Sequence, residues 1–406
     1  MPSSRTSEQN GTTSMARTRP KSNTTTPTPV IDPVGDITGG VDTHLDFHVA
    51  AAKDSLGRLL GTQTFPATQA GYTALLAWLT HFGPLALVGV EGTGSYGAGL
   101  TTYLTGQGVH VVEVNRPNRQ KRRRTGKSDP QDAINAASAA LAGEDTATPK
   151  LRHGPVESIR VLREARHHLV KARTAAINTL KSLLVTAPTA LREQLSAAST
   201  ATLVADCAAL PGPGLPPARP GTPDRAQASQ HLATQLRDSG EGLRLALGEL
   251  ARAIQFYDQR LSELDTTLSA LVAQTAPRTT ALYGLGTDTT GQLLTTVGEH
   301  PDRLHSQAAF ACLTGVAPVD ASSGKHEHHR LSRAGDRQAN AALYRVVIVR
   351  LAHHQPTRAY LAARLRPGTK MTKKHLIRCL KRYLAREIYP RLMADLAALH
   401  DPQPTT

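Results

Sequence analysis

From Val34 to about residue 144 the apolar positions switch repeatedly between a period of two and a period of three to four. GGVDTHLDFHVAAAKD reads as a strand reaching the turn KDSLG, and GRLLGTQTFPAT as its antiparallel partner. GYTALLAWLTHF has helical spacing, ALVGVEG is a short apolar strand, SYGAGLTTYLTGQ a helix, VHVVEVN a strand and SDPQDAINAASAALAG a helix. The alternation predicts an α/β domain with a mixed sheet over residues 34–150. Ahead of it, residues 1–33 are rich in Ser, Thr and Pro and lack the apolar core of a secretory signal, so a disordered tail is expected there.

Beyond residue 150 the pattern is helical. Apolar residues recur at helical spacing from Val156 to Leu184, and Leu243, Leu247, Leu250, Ile254, Tyr257 and Leu261 begin a stripe that alternates steps of four and three as far as Leu271. Such a stripe suits a dimerising coiled coil and equally an antiparallel helix pair within one chain. Region 151–276 is interrupted at 210–226 by a Pro/Gly-rich connection. From 277 to 395 a mainly helical domain is expected. It opens with two short helical segments around GLG, the signature of a tight turn or of a hairpin that offers backbone amides to phosphate. It closes with the basic amphipathic helix KKHLIRCLKRYLAREIYPRL from Lys373, and 396–406 form a short tail.

Charge narrows the function. Lys plus Arg number 47 against 32 Asp plus Glu, for a net charge of +15, which favours a polyanionic partner and puts nucleic acid first. No apolar run approaches the ~20 residues that span a bilayer, so a membrane is not the partner expected. Cys207, Cys312 and Cys379 are far apart and form no CxxC pair, which excludes a disulfide framework or a zinc knuckle and suits a reducing, cytoplasmic setting.

Against this basic background the acids at the sheet ends stand out. Asp42 falls on the first strand, Glu91 at the end of the apolar strand before a glycine turn, and Asp129 and Asp132 on the first turn of a helix. Asp is depleted from strands, and a buried carboxylate needs a partner. The spacing of three places Asp129 and Asp132 on one helix face, where carboxylates can share a hard cation such as Mg²⁺. The plainer reading is that Ser128 and Gln131 form a capping box and Asp129 complements the helix dipole. Directly upstream, Arg119, Lys121, Arg122, Arg123, Arg124 and Lys127 offer charge to a nucleic-acid backbone.

GVDTH, VEGTGSYG and KSDPQDA resemble, in order and spacing, the acidic motifs of the insertion-sequence-110 transposases. The resemblance implies an RNase H-like, RuvC-like N-terminal domain in which Asp42, Glu91, Asp129 and Asp132 are the DEDD catalytic and metal positions for Mg²⁺, with Mn²⁺ a possible substitute. The segment from about Arg278 to Ala352 is similar to the family's C-terminal transposase domain, with its Gly-x-x-Pro, Ser-Gly and Arg-x-Gly-(Asn/Asp)-Arg pattern. On that match Ser323 is the nucleophile, with Ser322 adjacent, and Lys325, Arg330, Arg333 and Arg337 face nucleic acid. The chain departs from the family at the YG before its GLG turn, where PG is usual, and at Gln338–Ala341, where a Leu-Arg pair is usual. HEHHR reads as part of the same basic loop, because three histidines in four residues cannot all face one ion. The family implies strand exchange between double-stranded donor and target DNA through a transient phosphoserine link, guided by a bridge RNA, in dimers that join into tetramers. Two readings compete with it. One is a metal-only junction nuclease or resolvase in which the four acids activate water; the other is a non-catalytic nucleic-acid-binding protein whose acids are caps and structural pairs.

Overall fold

The computed structural model describes residues 32–114, 128–144, 146–196, 199–212, 215, 224–324, 329–366 and 371–400. The chain divides into two compact units, 1–149 and 150–406.

In the first unit the described elements run β1 (Ile37–Thr43), β2 (Phe47–Lys53), β3 (Leu59–Pro66), α1 (Gln69–His81), β4 (Leu85–Glu91), α2 (Ala98–Gly106), β5 (Val111–Val114), α3 (Asp129–Ala142) and β6 (Thr146–Ala147). They build one six-stranded mixed sheet in the order β3-β2-β1-β4-β5-β6. Strands β1, β4 and β5 run parallel; on one side β2 pairs antiparallel with β1 and β3 antiparallel with β2, and on the other side β6 pairs antiparallel with β5. This is the mixed sheet with flanking helices of a RuvC-like RNase H fold. One correction concerns the first strand: GGVDTHLDFHVAAAKD is not continuous but folds back on itself, so that Asp42 pairs with Val49 and Thr43 with His48 across a turn at residues 44–46. The alternation of apolar and polar residues hides the turn, because His44, Leu45 and Asp46 lack the Gly or Pro that would announce it.

The period of two assigns each strand residue to a face. Ile37, Val41, Val88 and Val90 pack with Leu75, Leu79, Leu100 and Leu104 of α1 and α2. The alternate positions, Gly40, Asp42, Gly89 and Glu91, face α3. Gly40 and Gly89 are register partners on β1 and β4, and a Cβ on either would collide with α3, at 2.0 Å from Ala137 N and 2.7 Å from Ala140 Cβ. Helix α3 answers with alanines at helical spacing, Ala133, Ala136, Ala137 and Ala140, all buried. Small residues on both sides let the helix lie directly on the sheet.

The second unit comprises α4 (Gly154–Val185), α5 (Thr189–Gln194), α6 (Thr200–Ala208), α7 (Asp224–Gln235), α8 (Ser239–Thr275), α9 (Pro277–Thr280), α10 (Thr287–Val297), α11 (Gln307–Leu313), the strands β7 (Pro318–Asp320) and β8 (His329–Leu331), then α12 (Arg337–His353), α13 (Gln355–Arg364) and α14 (Lys373–Ala398). Helices α4 and α8 form an antiparallel pair within the chain, tied by Arg166 to Asp265 and by Arg173 to Asp258. The leucine stripe is thereby covered from inside the molecule: Leu247, Ile254 and Leu268 are buried. At the base of the pair, α10, α12 and α14 close a core around Phe310, Leu343 and Ile388. Most of the 210–226 connection lies outside the described residues.

Candidate functional site

Three elements converge at one edge of the first unit: the C-terminal ends of the parallel neighbours β1 and β4, and the N-terminus of α3. Asp42 and Glu91 are each 8 % exposed. Ser128 stands at the N-cap of α3, and its first turn carries Asp129, Pro130 and the buried Asp132. The expected capping box does not form. Ser128 makes no side-chain cap bond, and Gln131 Nε2 donates instead to Asn135 Oδ1 at 3.3 Å. The first turn is therefore served by carboxylates rather than by a hydroxyl.

The tightest group includes a residue that sequence reasoning did not single out. His44 Nε2 lies 3.2 Å from Asp42 Oδ2 and 3.6 Å from Asp129 Oδ1. Ligand atoms of Asp42, His44 and Asp129 all fall within 4.8 Å of one another. The Nε2 atom is buried without a hydrogen bond, so its approach to the two carboxylates is one of proximity. Burial pushes the Asp42 carboxyl above the usual carboxylate range; His44 opposes that rise, and the negative charges of Glu91, Asp132 and Asp129 add to it. Glu91, Asp129 and Asp132 are thus all close enough to act on Asp42 electrostatically, although Glu91 and Asp132 stand outside the tight trio. Thr43, on the opposite face of β1, donates its hydroxyl to Glu91 O at 2.8 Å and locks the two strand ends together. The signal that could have found His44 was its place two residues after Asp42, in a turn that the sequence did not reveal.

In the second unit, β7 pairs with β8 in a hairpin, with Asp320 opposite His329. Its turn carries the exposed Ser322 and Ser323, then Gly324 at φ +57°. The Ser322 hydroxyl and backbone N–H both donate to Asp320 Oδ1, and that bonding holds the Asp320 carboxyl below its usual range. Arg330, Arg333 and Arg337 are exposed. Lys325 lies outside the described residues, as do Arg119, Lys121, Arg122, Arg123, Arg124 and Lys127. The RAGDR segment has a structural task. Gly335 takes φ +90°, and Asp336 caps α12 by accepting from Gln338 N and Ala339 N, while Thr296 Oγ1 donates to its other oxygen at 2.7 Å. The GLG turn is held from behind, since Arg350 Nε donates to Tyr283 O at 2.8 Å.

Residues 39–187 match the family model for the DEDD-type IS110 transposase, and residues 277–362 match that of the transposase IS116/IS110/IS902 family. The chain belongs to the IS110 family of transposases. The first match contains all four acids and His44, and the second contains the serine hairpin, so both sites fall within the transposase's matched regions. This transposase is a DNA recombinase, an enzyme that acts on and therefore binds DNA. No curated protein matches the chain. Two carboxylates and an imidazole nitrogen at mutual distances under 4.8 Å are a donor set that fits a divalent metal ion. No described helix is long and apolar enough to cross a membrane.

Proposed function

We propose that this transposase cuts and exchanges DNA strands through a phosphoserine link at Ser323, served by a Mg²⁺ site at Asp42, Glu91, Asp129 and Asp132. The supporting observation is the convergence of these acids, against their mutual repulsion, at the open end of the sheet. Buried like charges are costly unless a cation compensates them. Mg²⁺ is the ion for carboxylate oxygens, with Mn²⁺ as substitute, and when bound it would supply the positive charge that draws in and polarises a backbone phosphate. Asp42 and Glu91 hold their positions through the strand pair, and Asp129 and Asp132 through the helix seated on it.

At the hairpin the Ser323 Oγ forms a bond to phosphorus as the bond from phosphorus to a deoxyribose oxygen breaks. The serine proton leaves to a base, and the departing oxygen gains one. One phosphodiester is exchanged for another, so rejoining needs no nucleotide cofactor. The exposed Arg330, Arg333 and Arg337, with Lys325 and the cations from Arg119 to Lys127, serve the nucleic-acid backbone. A bridge RNA encoded with the element pairs with donor and target double-stranded DNA and sets the sites. The protein works in the cytoplasm on chromosomal DNA, as dimers that join into tetramers. The acidic domain takes residues 34–150, the helical region 151–276 and the serine domain 277–395.

The test is a denaturing gel of the purified protein incubated with Mg²⁺, flanking RNA and labelled donor and target DNA. A protein–DNA adduct that disappears in Ser323→Ala and is reduced in Asp129→Ala is expected. An adduct that survives Ser323→Ala but not Ser322→Ala would move the nucleophile by one residue. Free ends without an adduct would replace the serine mechanism with metal-only hydrolysis.

A further inference from the structure

Between the β7–β8 hairpin and α14 lies a groove of 420 Å³ that neither the acidic site nor the serine turn uses. Its floor is apolar, with Val316, Pro318 and Leu331, and Tyr383, 46 % exposed, stands at its edge. Four cationic side chains also line it, Arg330 from the hairpin and Arg378, Lys381 and Arg382 from α14. No described lining residue is acidic.

The cations are held there without a counter-charge in the groove. Lys381 is 9 % exposed and its ammonium donates to Asn340 Oδ1 at 2.8 Å, while Asn340 Nδ2 donates to Thr314 O and Gly315 O. Asn340 thus fixes both the lysine and the turn beneath the groove. Burial, and then the charge of Arg378, lowers the proton affinity of Lys381. Arg382 Nη1 is buried with no hydrogen-bond partner among the described residues. A buried guanidinium nitrogen left unpaired is costly, and an anion would relieve the cost.

An apolar floor, an aromatic edge and a one-sided cationic wall are the chemistry that recognises a nucleobase joined to a phosphate. The volume is at the lower end of small-ligand pockets and takes a single nucleotide, not a duplex. Strand exchange requires strands near the cut to separate from their partners, and the hairpin lining this groove also carries Ser323 at its turn. We propose that the groove receives one unstacked nucleotide of the DNA, its base against Tyr383 and the apolar floor and its phosphate against Arg378 and Arg382. The proposal rests on the DNA-transposase reading and adds to it a place for the strand.

The experiment uses the full chain and a short oligothymidylate carrying one 2-aminopurine, in the absence of cleavage. Binding should quench the fluorescence in the wild type and in Tyr383→Phe, and Tyr383→Ala should abolish the quench. Arg378→Gln, at an exposed position where folding is safe, and Arg382→Gln should each weaken binding roughly tenfold and reduce the salt dependence by about one unit of slope. A quench unchanged in Tyr383→Ala, or an affinity unchanged in Arg378→Gln, would overturn the proposal. Equal quenching with a matched oligouridylate would overturn the assignment to DNA. Because no cleavage is read, absence of a serine adduct leaves this result standing, and loss of the groove leaves the serine test intact.

Discussion

Gly40 of β1 lies directly beneath Ala137 of α3, so close that a Cβ on the glycine would stand 2.0 Å from the Ala137 nitrogen and 2.4 Å from the Ala133 carbonyl oxygen. The obstacle is helix backbone, which cannot rotate away as a side chain could. Gly40→Ala must therefore lift α3, and Asp129 and Asp132 with it. The expected cost is about 3 kcal/mol, at the upper end for overpacking, seen as a lowered denaturation midpoint together with weakened Mn²⁺ binding in calorimetry. An unchanged midpoint would mean that the seam is looser than its geometry.

His44 supplies the nitrogen of the tightest donor group. His44→Ala should weaken Mn²⁺ binding by roughly tenfold or more, on the scale of losing a metal-site contact. Electron spin resonance of the Mn²⁺ complex reports this directly, because a coordinated ¹⁴N couples to the ion. If that coupling is absent from the wild type, His44 is a neighbour of the site and not a ligand.

Lys150 donates to Thr295 O, and burial, reinforced by the charges of Arg303 and Arg152, lowers its pKa from 10.5 to about 8. The unfolded chain then binds more protons than the folded one between about pH 8 and 10.5, so this group makes stability rise with pH across that window. Lys150→Met should remove the rise, by at most about 3 kcal/mol. Urea denaturation of both proteins at about pH 7.5 and about pH 10 gives the comparison. Parallel curves would show that the lysine keeps its ordinary proton affinity.

Asp336 accepts from two backbone N–H groups at the start of α12 and from the Thr296 hydroxyl. Asp336→Ala should cost about 2 kcal/mol, the upper range for a lost N-cap, and lower the melting temperature of the second unit. Asp336→Asn, which keeps an acceptor for the backbone, should recover most of the loss. Equal melting temperatures for Asp336→Ala and the wild type would show that the cap contributes nothing.

Much of this was legible along the chain. A period of two in ITGGVDT and LALVGVE and a period near three and a half in the long helices specify the elements, because side-chain direction in strands and helices follows from backbone geometry alone. KSDPQDA, VEGTGSYG and GVDTH carry the acids that the family resemblance implies as its DEDD positions. Tertiary structure alone decided three things. It turned the chain at residues 44–46, which brought His44 to Asp42 and Asp129. It placed the leucine stripe of α8 against α4 of the same chain, a choice that a heptad leaves open because leucines do not distinguish one apolar surface from another. It also gathered Arg330, Arg378, Lys381 and Arg382 around one groove, from segments about fifty residues apart in sequence. Burial and charge between distant residues depend on which surfaces meet, and no local period encodes that.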